Sequence, residues 1–118
     1  MSRASRAAIR AAQTGHAGVY VSAITAWEVA TLARKGRYRL FVSPKVWFER
    51  LLALTGVRLA ALTPEILIES AWLPGEPPKD PADRMIAATA RQQGLTVISR
   101  DRRLMAYAEQ DYVRVLAC

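Results

Sequence analysis

Four short runs of apolar and β-branched residues are spaced along the chain, and longer segments with helical character separate them. The runs are VYVS (19–22), VRLAAL (57–62), LTVIS (95–99) and YVRVLA (112–117). Strands that alternate with helices are typical of an α/β fold with a mainly parallel sheet. We therefore expect a single α/β domain over residues 1–118, with any ligand bound beyond the carboxyl ends of its strands.

Capping signals indicate where the helices between these strands begin and end. Ser22, Ser43, Thr63 and Asp80 suit N-cap positions, and proline follows the last three at the first helical position. Glycines at the far ends of several segments suit C-cap positions. The predicted helices span residues 5–13, 22–36, 43–56, 63–73, 80–94 and 101–109.

The net charge adds an indication of the partner. The 118-residue chain carries 17 Lys and Arg residues against 10 Asp and Glu residues, a formal net charge of +7. Such a balance favours contact with a polyanion, and nucleic acid is the expected partner. The single cysteine, Cys118, fits a cytoplasmic protein. No apolar run approaches the roughly 20 residues that cross a membrane, so no membrane partner is expected.

Several common kinds of site are not indicated by the sequence. No glycine-rich phosphate-binding motif follows a strand. His16 is the only histidine, and with Cys118 it provides too few ligands for a zinc cluster. We interpret His16 as an ordinary loop residue. No histidine is placed to activate a serine nucleophile. The carboxylates therefore remain as the residues most able to carry chemistry.

Two aspartates near the start of the helix at 80–94 have different predicted roles. Asp80 precedes a proline and suits the N-cap, and acidic residues in a first turn offset the helix dipole by about 0.3–1 kcal/mol each. Capping alone could explain both aspartates. Asp83 also continues a stripe of small residues, Ala87, Ala90 and Gly94, at helical spacing. We interpret Asp80 mainly as a cap and Asp83 mainly as a functional residue.

Two other acidic residues allow more than one interpretation. Asp101 follows the run at 95–99 by two residues. It could cap the last helix, or it could belong to a site at the carboxyl end of a strand. Glu28 lies in the helix at 22–36, and its spacing relative to neighbouring residues does not say whether it is buried. Taken alone, it is more typical of a solvated residue than of a ligand.

Arginines and tryptophans form the remaining groups of interest. The arginines near Asp83 and Asp101 are individually more typical of a solvated face, but their concentration makes a phosphate partner credible. Those arginines are Arg84, Arg91, Arg100, Arg102 and Arg103. The three tryptophans lie in apolar helical contexts and are expected in the core. They are Trp27, Trp47 and Trp72.

Three segments carry acidic residues in an order that is informative as a set. They are VSAITAWEVATLARKGR with Glu28, DPADRMIAATARQQGL with Asp83, and LTVISRD with Asp101. In this order and at these separations, the segments resemble PIN-domain proteins, and particularly the toxin ribonucleases of VapBC-type toxin–antitoxin pairs. The resemblance extends from about Gly18 to Val115.

The resemblance implies a three-layer α/β fold and a metal-dependent endoribonuclease. Glu28, Asp83 and Asp101 would be the catalytic residues and would hold Mg²⁺ or Mn²⁺, which prefer oxygen ligands. The metal would polarise a phosphodiester and supply a water nucleophile. Ser99 would orient Asp101, and Asp80 would be a secondary acidic residue. The implied partners are an RNA substrate and a cognate antitoxin protein.

One feature of the family has no counterpart in this sequence. Family members usually begin with an apolar strand that ends in an aspartate, whereas no aspartate precedes Asp80 here. We therefore expect the N-terminal strand and one metal ligand to be missing, and Mg²⁺ or Mn²⁺ to bind weakly. We also expect a homodimer, because the runs at 19–22 and 95–99 would pair with each other or with a second copy.

Other functions remain open. The main alternative is a catalytically inactive PIN-like module that binds RNA or an antitoxin without cleavage. A flavodoxin-like regulatory domain is a weaker alternative, since alternating strands and helices occur there too. RNA affinity should fall with salt by a slope of roughly −0.7 per neutralised phosphate. Charge reversal at Arg100, Arg102 or Arg103 should flatten that slope.

Overall fold

The computed structural model describes residues 2–15 and 17–118, and every predicted helix and strand is found among them. His16, predicted to be a loop residue, lies outside the described residues. The elements, in chain order, are α1 (Arg3–Thr14), β1 (Val19–Ser22), α2 (Ile24–Arg34), α3 (Pro44–Ala53), β2 (Val57–Ala60), α4 (Pro64–Ala71), α5 (Pro81–Gln93), β3 (Thr96–Ser99), α6 (Arg102–Glu109) and β4 (Arg114–Ala117).

The strands form two parallel pairs. β1 pairs with β2 in a register that runs from Val19 opposite Val57 to Ser22 opposite Ala60. β3 pairs with β4, with Thr96 opposite Arg114 at one end and Ser99 opposite Ala117 at the other. The parallel arrangement and the α/β class are therefore confirmed. Within the described residues of its own unit each strand has one partner strand, so one edge of each strand has no strand partner in that unit.

The chain divides into two compact units, which are described separately below. The terminal unit consists of residues 1–8 and 62–118, and the central unit consists of residues 9–61. The terminal unit contains the pair β3–β4 with α4, α5 and α6, and the central unit contains the pair β1–β2 with α2 and α3. A single domain over residues 1–118 stays a prediction.

Small residues on α5 form the centre of the terminal unit. Ala87 and Ala88 are fully buried, and Ile66 of α4 and Tyr107 of α6 belong to the same apolar cluster. An alanine surface lets neighbouring elements approach closely, and α4 makes its most extensive packing with α5. The predicted small stripe on this helix is therefore a packing surface, and Asp83 begins it.

The central unit has a smaller core. Val29 of α2 and Ala60 of β2 are buried, and α3 packs on both α2 and β2. The turn before β2 requires glycine at position 56, because its φ of 75° is left-handed and a Cβ would lie 2.5 Å from the carbonyl oxygen of Gln13. That close approach fixes where β2 begins.

Most of the predicted helix caps are present. The side chains of Ser43, Thr63 and Asp80 accept hydrogen bonds from the backbone N–H groups three residues on, at 3.2, 3.2 and 3.0 Å respectively. Gly94 ends α5 in the left-handed conformation, with φ of 66°. These ends were predictable because each depends on a few consecutive residues.

Two predicted helix ends are wrong. The N-cap of α2 is Ala23, which already has helical backbone angles, although Ser22 accepts a hydrogen bond from the N–H of Ile24 at 3.3 Å. α3 ends at Ala53 because Leu54 adopts an extended conformation, with ψ of 143°. Gly56 therefore turns the chain into β2 and does not cap the helix.

The expectation that all three tryptophans are buried is wrong. Trp27 is 62% exposed and Trp72 is 84% exposed, while Trp47 is half-buried. Trp27 lies two residues before buried Val29, which places it about 200° around α2 from that residue. Trp72 follows the last residue of α4, so the helical pattern no longer determines its direction.

Candidate functional site

Two of the predicted ligands lie at the same end of the terminal unit. Asp83 is in the first turn of α5, and Asp101 follows the carboxyl end of β3. Only residues 94 and 95 connect α5 to β3, and the two elements pack together. A connection this short makes the helix and the strand run in opposite directions. The start of α5 and the end of β3 therefore lie at one end of the unit.

Asp80 has the predicted capping role. Its Oδ2 accepts the backbone N–H of Asp83 at 3.0 Å, and Pro81 occupies the first helical position. This bond orients the first turn that carries Asp83. The side chain of Asp83 is half-buried and has an interaction partner of its own. The structure thus confirms that Asp80 is the N-cap of α5. The functional role of Asp83 stays a prediction.

Asp101 is both a cap and a candidate ligand. Its Oδ1 accepts the backbone N–H groups of Arg103 at 2.8 Å and Leu104 at 3.4 Å. Its own N–H donates to Ser99 Oγ at 3.0 Å. Both capping bonds use Oδ1, which leaves Oδ2 for another ligand. The contact from Ser99 is the kind of positioning that the family resemblance implies, and its importance for activity stays a prediction.

Glu28 belongs to the central unit. It lies in the second turn of α2, and α2 begins two residues after the carboxyl end of β1. Its side chain is half-buried and has an interaction partner. The position after a parallel strand is the one at which ligand sites are expected in α/β sheets. Within the central unit, Glu28 therefore has a position that suits a ligand-binding site. Its role as a metal ligand stays a prediction.

The donor chemistry of these residues fits a hard divalent cation, because the carboxylates and the Ser99 hydroxyl provide oxygen ligands. Neither unit, taken over its described residues, contains a group of three or more His, Cys, Asp or Glu side chains placed to hold a metal ion. Asp83 and Asp101 alone would give the terminal unit two carboxylate ligands. A cation held by so few protein ligands would complete its coordination with water.

Arginines in the terminal unit fall into two groups. Arg84 donates to three backbone carbonyls, those of Ser70 at 2.8 Å, Ala71 at 3.1 Å and Pro78 at 3.1 Å. Arg91 donates to the carbonyl of Tyr112 at 2.8 Å and lies 3.5 Å from a carboxylate oxygen of Glu69. These two arginines therefore stabilise the fold.

The other arginines near the aspartates are accessible. Arg100, Arg102 and Arg103 are exposed around the start of α6. All three follow β3 and are close in sequence to Asp101. The expectation of a solvated face is confirmed for them and for Arg91, which is exposed although it also binds a backbone carbonyl. It is wrong for half-buried Arg84, whose guanidinium group donates to three backbone carbonyls.

A shallow cavity of about 260 Å³ lies at the opposite end of α5 from Asp83. Its lining includes Arg91, Gly94, Leu95 and Arg114. Eleven residues of helix separate Asp83 from Gly94, which corresponds to about 16 Å along the axis. The cavity is at the amino ends of β3 and β4, so it does not belong to the carboxylate end.

A protein-family model described as PIN domain matches residues 2–110. The chain belongs to the PIN domain family. The matched range includes Glu28, Asp83, Ser99 and Asp101 of this PIN protein. The family assignment and its α/β fold therefore confirm the resemblance drawn from the three acidic segments.

The PIN chain is also similar to a curated relative, Ribonuclease VapC22 of Mycobacterium tuberculosis. The two are 37% identical over 87 residues, which is 74% of this chain and 65% of the relative. The match thus spans slightly less than two thirds of the relative's length. Among the described helices of this PIN protein, none combines the length and the hydropathy of a membrane-spanning segment.

Proposed function

We propose that this PIN protein is a metal-dependent endoribonuclease and the toxin component of a VapBC-type toxin–antitoxin pair. The main support is the presence of Asp83 and Asp101 at one end of the terminal unit, in a chain of the PIN family. The 37% identity to a protein named as a ribonuclease supports the same activity. The net charge of +7 suits an RNA substrate.

In this proposal, Glu28, Asp83 and Asp101 are the catalytic residues and hold Mg²⁺ or Mn²⁺. When bound, such a metal polarises the scissile phosphate and generates a water nucleophile at neutral pH. The chain's own residues position the ligands. Asp80 orders the first turn of α5 through its bond to the N–H of Asp83, and Ser99 holds the backbone of Asp101. We expect weak metal binding, because few protein ligands are available.

The proposed partners are an RNA substrate and a cognate antitoxin protein, in the cytoplasm. We also propose a homodimer. Each strand of the described residues has one edge without a strand partner in its own unit, and such edges accept strands from other chains. An antitoxin would also find apolar surface, since Trp72 and Ile68 of the terminal unit are 84% and 66% exposed.

A second function is supported by one observation. Neither unit, in its described residues, contains a three-residue group suited to a metal ion. A catalytically inactive module that binds RNA or an antitoxin without cleaving RNA would have the same accessible arginines and apolar surface. Metal-dependent turnover distinguishes this alternative from the enzyme.

The test is an RNA-cleavage assay with purified protein, structured RNAs and Mn²⁺ or Mg²⁺ at millimolar concentration. We expect cleavage that EDTA abolishes and that Asp83→Asn reduces by at least about 100-fold, as expected for loss of a metal ligand. Glu65→Gln, the same carboxylate-to-amide change at an exposed position in the first turn of α4, is the control for general effects of substitution. Binding of RNA without cleavage at any metal concentration would favour the inactive module.

A further inference from the structure

The last residue of α2 and the loop that follows it carry an unusual combination of exposed side chains. Residues 34–39 are all exposed, and they include Arg34, Lys35, Arg37 and Arg39. Phe41 is fully exposed and Tyr38 is 51% exposed. We call residues 34–41 the basic aromatic loop. It lies entirely within the central unit.

The charge of this loop is not balanced locally. From Glu28 to Glu49, the sequence contains five Lys and Arg residues and no carboxylate between those two glutamates. Of these five cations, Lys45 lies 3.5 Å from Glu49. Among residues 2–15 and 17–118, no ion pair involves the four cations of the loop. They are therefore available to an anionic partner.

The start of the loop is ordered by hydrogen bonds to α2. The N–H groups of Lys35 and Gly36 donate to the carbonyls of Thr31 and Ala33 at 3.0 and 3.1 Å. The N–H of Arg37 donates to the carbonyl of Leu32 at 2.9 Å. The cations and Tyr38 thus project from a backbone that is fixed on a helix end. A fixed backbone reduces the ordering cost of binding.

We propose that the basic aromatic loop binds single-stranded RNA, with its cations on phosphates and with Tyr38 and Phe41 stacked on bases. Single exposed apolar residues are common and need no explanation. Aromatic rings interleaved with unpaired cations are different, because proteins bind single strands through this combination. Each nucleotide of a single strand offers both a phosphate and an unstacked base.

An acidic protein segment fits the loop less well. Carboxylates would satisfy the cations but would leave the fully exposed ring of Phe41 without a stacking partner. Duplex RNA would also leave the rings unused, because its bases are already stacked. The inference rests on the proposed ribonuclease function and deepens it, since it names the strand state of the RNA and a binding segment that includes none of the predicted ligands.

Binding can be measured in EDTA, so that metal-dependent cleavage does not contribute. The probe is a fluorescent single-stranded oligoribonucleotide of mixed sequence, titrated at several salt concentrations. We expect Phe41→Ala and Tyr38→Ala each to weaken binding about five- to 150-fold, as expected for loss of one stacked base, with little change in the salt slope. Arg37→Ala with Arg39→Ala should flatten that slope by about 1.4, at roughly 0.7 for each phosphate contact.

Matched controls lie outside the loop. Trp72→Ala removes an exposed aromatic ring from the terminal unit, and Lys45→Ala removes an exposed cation that already lies beside Glu49. Both should bind RNA like the unmodified protein. A duplex of the same sequence should bind more weakly and should not respond to Phe41→Ala.

The outcomes separate this inference from the proposed function. If the loop variants bind the single strand as the unmodified protein does, the inference is overturned, whether or not the protein cleaves RNA. If only the arginine changes weaken binding, the loop is an electrostatic surface and the stacking proposal is wrong. If the variants lose affinity while the unmodified protein binds RNA but never cleaves it, the inference stands and the ribonuclease proposal fails. Loss of binding to an acidic antitoxin, with RNA binding retained, would assign the loop to that protein instead.

Discussion

The terminal and central units contain the same structural pattern but differ in charge. Each has one parallel strand pair, and in each an acidic residue follows the carboxyl end of a strand. The terminal unit carries nine Lys and Arg residues against eight Asp and Glu residues, whereas the central unit carries eight against two. Most of the excess positive charge therefore belongs to the central unit.

Three arginines of the terminal unit have contacts that the loop cations of the central unit lack. In the terminal unit, Arg84, Arg91 and Arg114 donate to backbone carbonyls. In the central unit, the basic aromatic loop presents its cations to solvent. The difference shows that net charge alone does not identify a binding surface. An arginine indicates a partner only when the fold does not already satisfy its guanidinium group.

Replacement of Arg84 tests the structural role of the terminal arginines and should have the largest effect on stability. Arg84→Met removes two hydrogen bonds to carbonyls at the end of α4 and one to the carbonyl of Pro78, so we expect a loss of about 2–4 kcal/mol in the free energy of unfolding. Chemical denaturation measures it. Arg39→Met, in the exposed loop of the central unit, should change stability by no more than about 0.5 kcal/mol. Equal losses would remove the distinction between the two groups.

Substitutions at Asp101 separate its capping role from its proposed chemistry. Asp101→Ala should cost about 1 kcal/mol of stability, because both N–H groups at the start of α6 lose their acceptor. Asp101→Asn should keep most of that stability, since asparagine caps a helix equally well. Both variants should lose RNA cleavage. An asparagine variant that cleaves as well as the unmodified protein would show that Asp101 is only a cap.

Ionisation of Tyr107 at high pH should have a smaller effect on the free energy of unfolding. Burial raises the pKa of this phenol above its ordinary value of 10.0, although Arg91 opposes the change. The folded state therefore holds the proton more tightly than the unfolded state. The resulting stability is present below about pH 10 and is lost as the pH rises through the folded-state pKa.

The measurement is the free energy of unfolding at several values between pH 9 and pH 11. At pH 9, Tyr107→Phe should lower the free energy of unfolding by about 0.5–1.5 kcal/mol, because the hydrogen bond from the Tyr107 hydroxyl to the carbonyl of Pro74 is lost. Above pH 10, the free energy of unfolding of this variant should fall less steeply than that of the unmodified protein. Tyr38→Phe, in the basic aromatic loop, controls for removal of a hydroxyl and should keep the steep decline. Parallel curves for Tyr107→Phe and the unmodified protein would refute the assignment to Tyr107.

The sequence predicted features that depend on a few consecutive residues. The predicted caps at Ser43, Thr63, Asp80 and Asp101 are confirmed. They were predictable because each capping bond joins residues only two or three positions apart. The strands were also recognisable, since each is a short run of apolar residues, and their parallel pairing followed from the alternation with helices.

Features that depend on distant parts of the chain were not predictable. Arg84 binds carbonyls as far as 14 residues away, and nothing near it in sequence indicates those acceptors. The exposure of Trp27 and Trp72 depends on which helix faces are covered, which residue type alone does not reveal. The alternation of aromatic and basic residues in the basic aromatic loop is visible in the sequence. Only the structure shows that these aromatic side chains are exposed and do not belong to a core segment.

The most direct test of the central claim is a single-turnover cleavage assay with RNA at saturating protein and Mn²⁺ present. The account assigns chemistry to the acidic residues and RNA binding to the basic aromatic loop of the central unit. Asp83→Asn should bind RNA with unchanged affinity and show no cleavage at saturation. Phe41→Ala should require more protein for saturation and then cleave at the unmodified rate. Cleavage by Asp83→Asn at the unmodified rate would contradict the account.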